Sequence, residues 1–185
     1  VAVQFFINAG DTKTRGADIV LNYNSFAGCK ATLAANFNET EIDAITTPAP
    51  LAQNGYNIFA REEKGLITNS RPKSKIILGL SYDLRDWSFD LNNTRFGQVT
   101  ITAPESGGTD QALDAKIVTD FSLGYNFTDR FSLNGTINNI FDVYPDITKV
   151  STNTAGAGGR FPYSSEVQQM GQLGTNFSLA LNYQF

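Results

Sequence analysis

Residues that could bind a small ligand fall into two groups in this sequence. Amide, hydroxyl and carboxylate groups near the ends of predicted strands can orient a ligand, and aromatic or cationic side chains in long loops can cover one. The first group contains Asn92, Thr94, Asn138 and Asp142. The second group contains Tyr56, Phe59, Arg61, Phe161 and Tyr163. Each group also has a plain structural interpretation, as a hydrated wall, a solvated charge run at Arg61–Lys64, or aromatic packing within the loops.

Residues for catalysis or metal binding are scarce. The 185 residues include no His and one Cys, Cys29, so the usual ligands of zinc and the usual base beside a nucleophile are missing. We expect Cys29 to be an incidental small residue. No nucleophile elbow or phosphate-binding loop occurs either. The sequence therefore predicts a protein that is not an enzyme and that has no cofactor or metal site.

The charge balance and the hydropathy narrow the class further. The formal net charge is −4, whereas a nucleic-acid surface needs clustered Lys and Arg to neutralise phosphates. We therefore exclude nucleic acid as a partner. No apolar run reaches the length of a transmembrane helix, but strands that alternate apolar and polar residues would leave the same average hydropathy.

Alternation of apolar and polar residues is the strongest pattern in the chain. In Phe177 to Phe185 every second residue is Phe, Leu or Tyr, and the residues between them are Ser, Ala, Asn and Gln. This period of two predicts antiparallel strands, each with one apolar face. About eight segments follow it, judged by the same period-two rule. They lie around residues 3–7, 19–23, 33–37, 76–84, 87–91, 117–127, 131–138 and 177–185.

The connections between these strands alternate in length. Short turns are predicted at 25–28, 85–86 and 128–130, and long loops at 39–72, 102–115 and 141–170, while the short link at 8–13 breaks the contrast. Outer-membrane barrels place short turns on the periplasmic side and long loops outside the cell. With the C-terminus at the periplasmic end, every long loop falls outside. We therefore interpret residues 1–185 as one domain, and neither the loop at 39–72 nor the stretch at 151–159 as a linker.

The composition of the second face indicates which face meets lipid. A soluble sheet usually exposes Lys and Glu, but this face offers Ser, Asn, Gly, Thr and Asp, which suit a hydrated lumen. Aromatic residues gather near the turn ends of the strands, as an interfacial girdle requires. They are Tyr23, Tyr82, Trp87, Tyr125, Phe127, Phe131, Tyr183 and Phe185. Because no sheet edge can stay unpaired in a bilayer, the strands are expected to belong to a closed barrel.

Several motifs resemble those of TonB-dependent outer-membrane receptors. The most specific is NNIFDVYP at 138–145, which is similar to the family pattern N-N-L-F-D-x-x-Y-P with one residue fewer between its Asp and Tyr. DFSLGY at 120–125 resembles D-L-S-L-x-Y, and RPKSK at 71–75 resembles P-x-x-K. The segment at 93–100 resembles an R-x-G strand. NAG at 8–10 followed by TRGAD at 14–18 resembles N-x-G and R-G-x-E, with Asp18 in place of the usual Glu.

The resemblance implies a fold and a function. The family barrel has about 22 strands and is plugged by an N-terminal domain. Residues 1–185 would supply its C-terminal part, without the plug and its TonB-contacting box. The resemblance further implies TonB-powered import of a scarce nutrient such as a ferric siderophore, haem, cobalamin or a glycan, with outer-membrane lipid around the barrel. The absence of His weakens haem capture by this portion. Phe185 would serve as the terminal aromatic that the assembly machinery reads.

Two other interpretations stay open. The chain could be a complete eight-stranded outer-membrane barrel with a structural or adhesion role, because its length also fits that class. It could instead be a soluble β module that binds a ligand, in which the aromatic residues fill a core. The barrel fragment and the small barrel differ in the partner of the last strand, which would be residues 1–8 only in the small barrel.

Overall fold

The computed structural model describes residues 8–25, 27–55, 57–105, 107–149 and 161–185. Within these residues the chain forms nine strands and two short helices. The strands are β1 (Gly10–Asn24), β2 (Cys29–Ile45), β3 (Ser74–Leu84), β4 (Trp87–Phe96), β5 (Val99–Ile101), β6 (Gln111–Leu113), β7 (Lys116–Thr128), β8 (Phe131–Asn138) and β9 (Asn176–Tyr183). The helices are α1 (Ala49–Gln53) and α2 (Arg61–Thr68), both between β2 and β3.

Seven strands form one main sheet in the order β1-β2-β3-β4-β7-β8-β9. Every neighbouring pair is antiparallel, and strands adjacent in this order are joined by short turns or by long loops in alternation. The remaining two strands, β5 and β6, pair only with each other and lie in the connection from β4 to β7. We call them the β5–β6 hairpin.

The three predicted short turns coincide with the observed ones. Arg85 adopts φ +54 in the turn between β3 and β4, and Gly28 adopts φ +79 in the turn between β1 and β2. A Cβ at Gly28 would approach the carbonyl oxygen of Asp83 to 2.7 Å, so both the φ and the space require glycine there. The ends of the strands at these turns are called the turn end, and the opposite ends the loop end.

The register gives the main sheet one apolar face and one polar face. Leu80 pairs with Leu91, and Leu91 pairs with Phe121, so the apolar residues of neighbouring strands share a face. This apolar face is exposed rather than buried, since Leu78 is 40% exposed and Leu181 is 65% exposed. The face of the sheet that a soluble protein would bury is therefore the one that lies outward here.

Hydrogen-bonded side chains cover the polar face from strand to strand. The pairs are Thr32 to Asn22 at 2.9 Å, Asn36 to Asp18 at 2.7 Å, Ser81 to Asp90 at 2.6 Å and Ser122 with Thr136 at 2.9 Å. Short hydroxyl, amide and carboxyl groups hydrogen-bond to each other across the strands, and each has further donor or acceptor positions for water. The polar face has the chemistry of a hydrated surface, as the alternation predicts.

An aromatic belt crosses the turn end of the apolar face. The rings of Trp87 and Tyr125 lie 4.4 Å apart, those of Tyr125 and Phe127 4.8 Å, and those of Phe127 and Phe131 5.0 Å, between centroids. The belt thus runs from β4 across β7 to β8. Aromatic residues that gather at one height on an exposed apolar face are typical of a membrane interface.

Three features differ from the sequence-based prediction. The strands β1 and β2 extend to Gly10 and Ile45, so the predicted link at 8–13 and the start of the predicted loop at 39–72 are largely strand. The predicted loop at 102–115 contains β6, and α1 and α2 lie in the 39–72 loop. These parts carry polar residues on both faces or are too short to show a period. The predicted strand around 3–7 lies outside the described residues.

The water-excluding core does not lie in the main sheet. It consists of Val99, Ile101 and Leu113 from the β5–β6 hairpin, with Val167 from the following loop, and Leu66 of α2 packs against it. The long loops therefore fold together at the loop end. No helix in the described part of the chain is long and apolar enough to cross a membrane.

Candidate ligand-binding wall and loop cap

Two regions at the loop end bring the predicted site residues together. We call the first the wall pocket, a cavity between the polar face and residues 170–174. The second is the loop cap, formed by residues 46–55, 57–73, 97–105, 107–115, 139–149 and 161–175. Of the predicted residues, the wall pocket contains Asn138. The loop cap contains Phe59, Arg61, Asp142, Phe161 and Tyr163.

Register places three predicted residues on the polar face near the loop end. Asn92 lies opposite Gly79 and Asp120, and Thr94 lies opposite Val118. Asn138 ends β8 and donates a hydrogen bond from Nδ2 to the Asn176 Oδ1 at 2.8 Å. The predicted placement of these polar groups is therefore observed, whereas their role in ligand binding stays a prediction.

The wall pocket has a volume of about 200 Å³. Its apolar lining comes from Phe96, Val118 and Leu173, and its polar lining from Asp120 and Asn138. Ligand sites usually measure about 300–1,000 Å³. This cavity therefore has room for one part of a ligand rather than for a whole one.

Asp142 fastens two loop segments to each other. Its Oδ1 accepts a hydrogen bond from the backbone N–H of Thr175 at 3.0 Å. That bond, with a second one from the Tyr144 hydroxyl, holds the pKa of the Asp142 carboxyl below its ordinary value, and the same contact raises the pKa of Tyr144. Asp142 thus lies beyond the end of β8, and its carboxylate is engaged within the loop cap.

Arg61 fastens α2 to the β5–β6 hairpin. Its guanidinium donates two parallel hydrogen bonds to the carboxylate of Asp110, both at 2.6 Å, and a third to the carbonyl oxygen of Ala103 at 2.7 Å. The guanidinium lowers the pKa of Asp110 to about 2, with help from the backbone N–H of Ala103. A fork of this geometry is the strongest common ion pair, so Arg61 holds the loop cap together.

Residues that hold the loop cap together, and one pair that joins it to the wall, carry no signal in the sequence. Gln169, which is 4% exposed, donates from Nε2 to the carbonyl oxygens of Gly97 and Asp114, each at 2.7 Å. The Lys116 ammonium contacts Asp146 Oδ1 at 2.5 Å, and this contact lowers the pKa of Asp146. A Gln or Asp within a long loop carries no pattern that would have distinguished it.

The aromatic loop residues divide into packed and exposed ones. Phe59 packs against the start of β1, where a Cβ at Gly10 would lie 3.3 Å from its ring. The Tyr163 ring stacks on that of Tyr144 at 6.1 Å between centroids and 4° between planes. Phe161 is 63% exposed, as are its loop neighbours Phe141 and Ile147 at 69% and 68%. Tyr56 lies outside the described residues.

No cation site accompanies these regions in the part of the chain that the structure describes, because no three His, Cys, Asp or Glu residues are grouped as ligands there. Cys29 is half-buried on the apolar face, opposite Tyr82. The predictions that the chain has no cofactor and no catalytic role stay predictions.

Comparison with known proteins gives a consistent result. The profile of the family described as "TonB dependent receptor-like, beta-barrel" matches residues 1–140. Comparison with curated protein sequences yields no match.

Three solved structures share the fold. The chain is similar to the pyoverdine outer membrane receptor FpvA from Pseudomonas aeruginosa PAO1 (15% identity, TM-score 0.59), with 94% of this chain and 22% of that one covered. It is similar to the ferric-catecholate import receptor Fiu from E. coli K12 (14%, TM-score 0.61; 95% and 21% covered). It is also similar to the FrpB iron transporter from Neisseria meningitidis (15%, TM-score 0.56; 97% and 24% covered). The chain thus spans less than a quarter of the length of each.

Proposed function

Because the chain belongs to the TonB-dependent receptor β-barrel family, we propose that it forms part of an outer-membrane receptor that imports a scarce nutrient with energy delivered through TonB. Its fold is that of an antiparallel transmembrane β-barrel, of which the described residues form seven adjacent strands. One observation carries the proposal. The sheet has a polar face opposite an exposed apolar face, and the long loops fold together at its loop end.

The proposal includes a location and an orientation. The bacterial outer membrane surrounds the apolar face, with the short turns on the periplasmic side and the loop cap outside the cell. The aromatic belt supports this orientation, since it lies at the turn end where the periplasmic interface would be. Phe185 would act as the assembly signal.

Residues 1–185 would be the C-terminal portion of the receptor barrel. Solved receptors of this fold are four to five times longer than the region that matches, as the covered shares of 21% and 24% indicate. The rest of the receptor would supply the other strands and the plug domain, and TonB would contact that plug.

A ferric siderophore is the cargo that we propose first. Two similar structures are named for pyoverdine and ferric-catecholate import, and a third for iron transport, which supports this class. Phe141, Ile147 and Phe161 would meet the apolar parts of such a ligand, and Asn92, Thr94 and Asn138 would meet its polar groups. Cobalamin and a glycan are the alternative cargoes.

The test uses the full receptor in a strain that lacks its chromosomal copy. Growth is measured under limitation of iron, of cobalamin or of carbon, with ferric siderophores, cobalamin or glycans supplied to match, with and without TonB. We expect one ferric siderophore to restore growth only when both the receptor and TonB are present. Uptake that persists without TonB would contradict the transport mechanism, and restoration by cobalamin or a glycan alone would replace the cargo.

A matched pair of variants tests the polar face. Asn138→Ala removes a wall-pocket group at the loop end, and Asn182→Ala removes the same amide from the polar face near the turn end, opposite Ser132. A lost hydrogen bond costs about 0.5–1.5 kcal/mol, or about two- to tenfold in Kd. We expect weaker cargo binding for Asn138→Ala only, and equal binding by both variants would exclude the wall pocket from the site.

A further inference from the structure

The apolar face is not uniformly filled, because Gly135 lies in the middle of β8. Its neighbours across the sheet are Leu123 on β7 and Leu179 on β9. A Cβ built at Gly135 would meet one atom only, the Leu179 Cδ1 at 3.8 Å. At this level both flanking strands carry Leu, whereas β8 has no side chain on this face between Leu133 and Ile137, which leaves a gap over Gly135.

Two cavities meet at this glycine. One, of about 410 Å³, extends toward the loop end between Phe121, Ile137 and Phe177. The other, of about 440 Å³, extends toward the turn end between Trp87, Phe127 and Leu133. Both are lined by Leu123, Gly135 and Leu179, so they adjoin at this gap, and we call the two together the Gly135 groove.

The Gly135 groove lies on the face that meets the bilayer, and its dimensions suit an acyl chain. Along β7 the lining of the two cavities runs from Phe121 to Phe127, a rise of about 20 Å at about 3.3 Å per residue. At the usual strand tilt of about 45° this corresponds to about 14 Å of membrane depth. One leaflet of hydrocarbon is about 15 Å thick, half of the bilayer core. The groove ends at Trp87 and Phe127 of the aromatic belt, which is the level at which lipid headgroups begin.

The lining also favours a hydrocarbon over a protein segment. Side chains of Phe, Leu, Ile and Trp line it, so a bound group would find dispersion contacts and almost no hydrogen-bonding partners. A polypeptide segment in the membrane would bring backbone N–H and C=O groups, and the groove offers almost nothing to hydrogen-bond them. An unfilled channel would forfeit those dispersion contacts along its length.

We propose that the Gly135 groove is a binding site for one acyl chain of a phospholipid in the leaflet on the side of the short turns. This site goes beyond cargo import and rests on the proposed membrane location. Lipid tails are as apolar as the groove, so tighter packing rather than transfer from water would hold the chain. The bound lipid would exchange more slowly than the lipid around the rest of the barrel.

Trp87 provides the probe, because it is the only Trp in these 185 residues and lines the groove. The full receptor in detergent is titrated with phosphatidylcholine brominated on its acyl chains, which quenches nearby indole fluorescence. The Trp87 component is isolated by subtracting the signal of a Trp87→Phe receptor. We expect saturable quenching in the parent receptor and its loss in Gly135→Leu, where the new side chain fills the groove.

The control adds the same bulk elsewhere on the same face. Ala31 of β2 lies opposite Leu80 on the apolar face, away from the groove. Ala31→Leu should quench like the parent receptor. Gly135→Leu also raises strand propensity, so we expect this variant to fold like the parent receptor.

Native mass spectrometry and vesicle flotation complete the experiment. One retained phospholipid in the parent and none in Gly135→Leu would support the site. Three fluorescence results would overturn it: quenching in the parent that does not saturate, quenching in Gly135→Leu equal to that of the parent, or a loss in Ala31→Leu equal to that in Gly135→Leu. A parent dimer that Gly135→Leu dissociates would also overturn it. Failure of the parent to float with vesicles would instead contradict the proposed membrane location, independently of the groove.

Discussion

Replacing Gly65 with Ala should loosen α2 from the β5–β6 hairpin. Gly65 is the buried residue of α2 and presses against Thr102, next to β5. A Cβ at Gly65 would overlap both Oγ1 and Cβ of Thr102, so the helix or the hairpin must move. Two opposing terms decide the size of the effect.

The overlap outweighs the gain in helix propensity. Overpacking of this kind costs about 1–3 kcal/mol, whereas Gly to Ala within a helix recovers about 1 kcal/mol. The expected net loss is about 1 kcal/mol of local stability, which increases opening of the helix about fivefold. Thr102→Gly in the Gly65→Ala background removes the overlapping atoms and should restore most of the loss.

Amide hydrogen exchange of the full receptor, followed by mass spectrometry of peptides from 61–68, measures the effect. Gly171→Ala is the matched control, since a Cβ at Gly171 meets no atom within 4 Å. We expect faster exchange in α2 for Gly65→Ala only, with the strands of the main sheet unchanged. Slower exchange in α2 would refute the reasoning, because helix propensity would then dominate and the contact with Thr102 would be absent.

Four further outcomes test the loop cap. Arg61→Lys keeps the charge but loses the two-point fork, so exchange in 103–105 and 107–110 should accelerate, with Glu62→Gln unchanged as control. The Asp110 carboxyl has its pKa lowered to about 2 from 3.8, so its stabilisation is complete above about pH 4 and is lost as the pH falls toward 2. Asp110→Asn should remove that acid dependence of exchange, and a persistent one would assign it elsewhere. Gly174 has φ +69, and a Cβ there would overlap the Tyr144 hydroxyl, so Gly174→Ala should break the hydrogen bond between Tyr144 and Asp142. The pKa of Tyr144 should then fall toward its ordinary 10.0 in a spectrophotometric titration, with Tyr144→Phe subtracted as the control. Gln169→Leu removes the donor to the Gly97 and Asp114 carbonyls, of which the Gly97 one is buried and costs about 1–3 kcal/mol when it is left unpaired. The change should speed limited proteolysis within 97–115, whereas Gln168→Leu should not.

The strands of the wall could be predicted where lipid and water lie on opposite faces. Apolar and polar or small residues alternate from Leu78 to Leu84 and from Phe121 to Phe127, because each second residue meets a different solvent. The register follows from the same alternation, so the placement of Asn92 and Thr94 on the polar face was predictable. The resemblance of the motif at 138–145 to its family pattern could also be seen from the sequence, because it depends on eight consecutive residues.

The loop cap could not be predicted because its contacts are non-local. Val99 and Leu113 belong to strands of three residues, which are too short to show a period. The partner of Arg61 lies 49 positions away, and that of Gln169 lies up to 72 positions away. The spacing of these residues in the sequence predicts neither contact. Position in space, set by the wall, decides which loops meet.

The loop cap and the wall respond differently to temperature because different solvents organise them. The cap holds Val99, Ile101, Leu113 and Val167 away from water, so its unfolding carries a positive heat capacity change and its stability weakens on cooling. The apolar side chains of the wall face hydrocarbon rather than water, so the wall gains little stability from the hydrophobic effect. We therefore expect a calorimetric scan to resolve a small transition of the cap from the large transition of the wall.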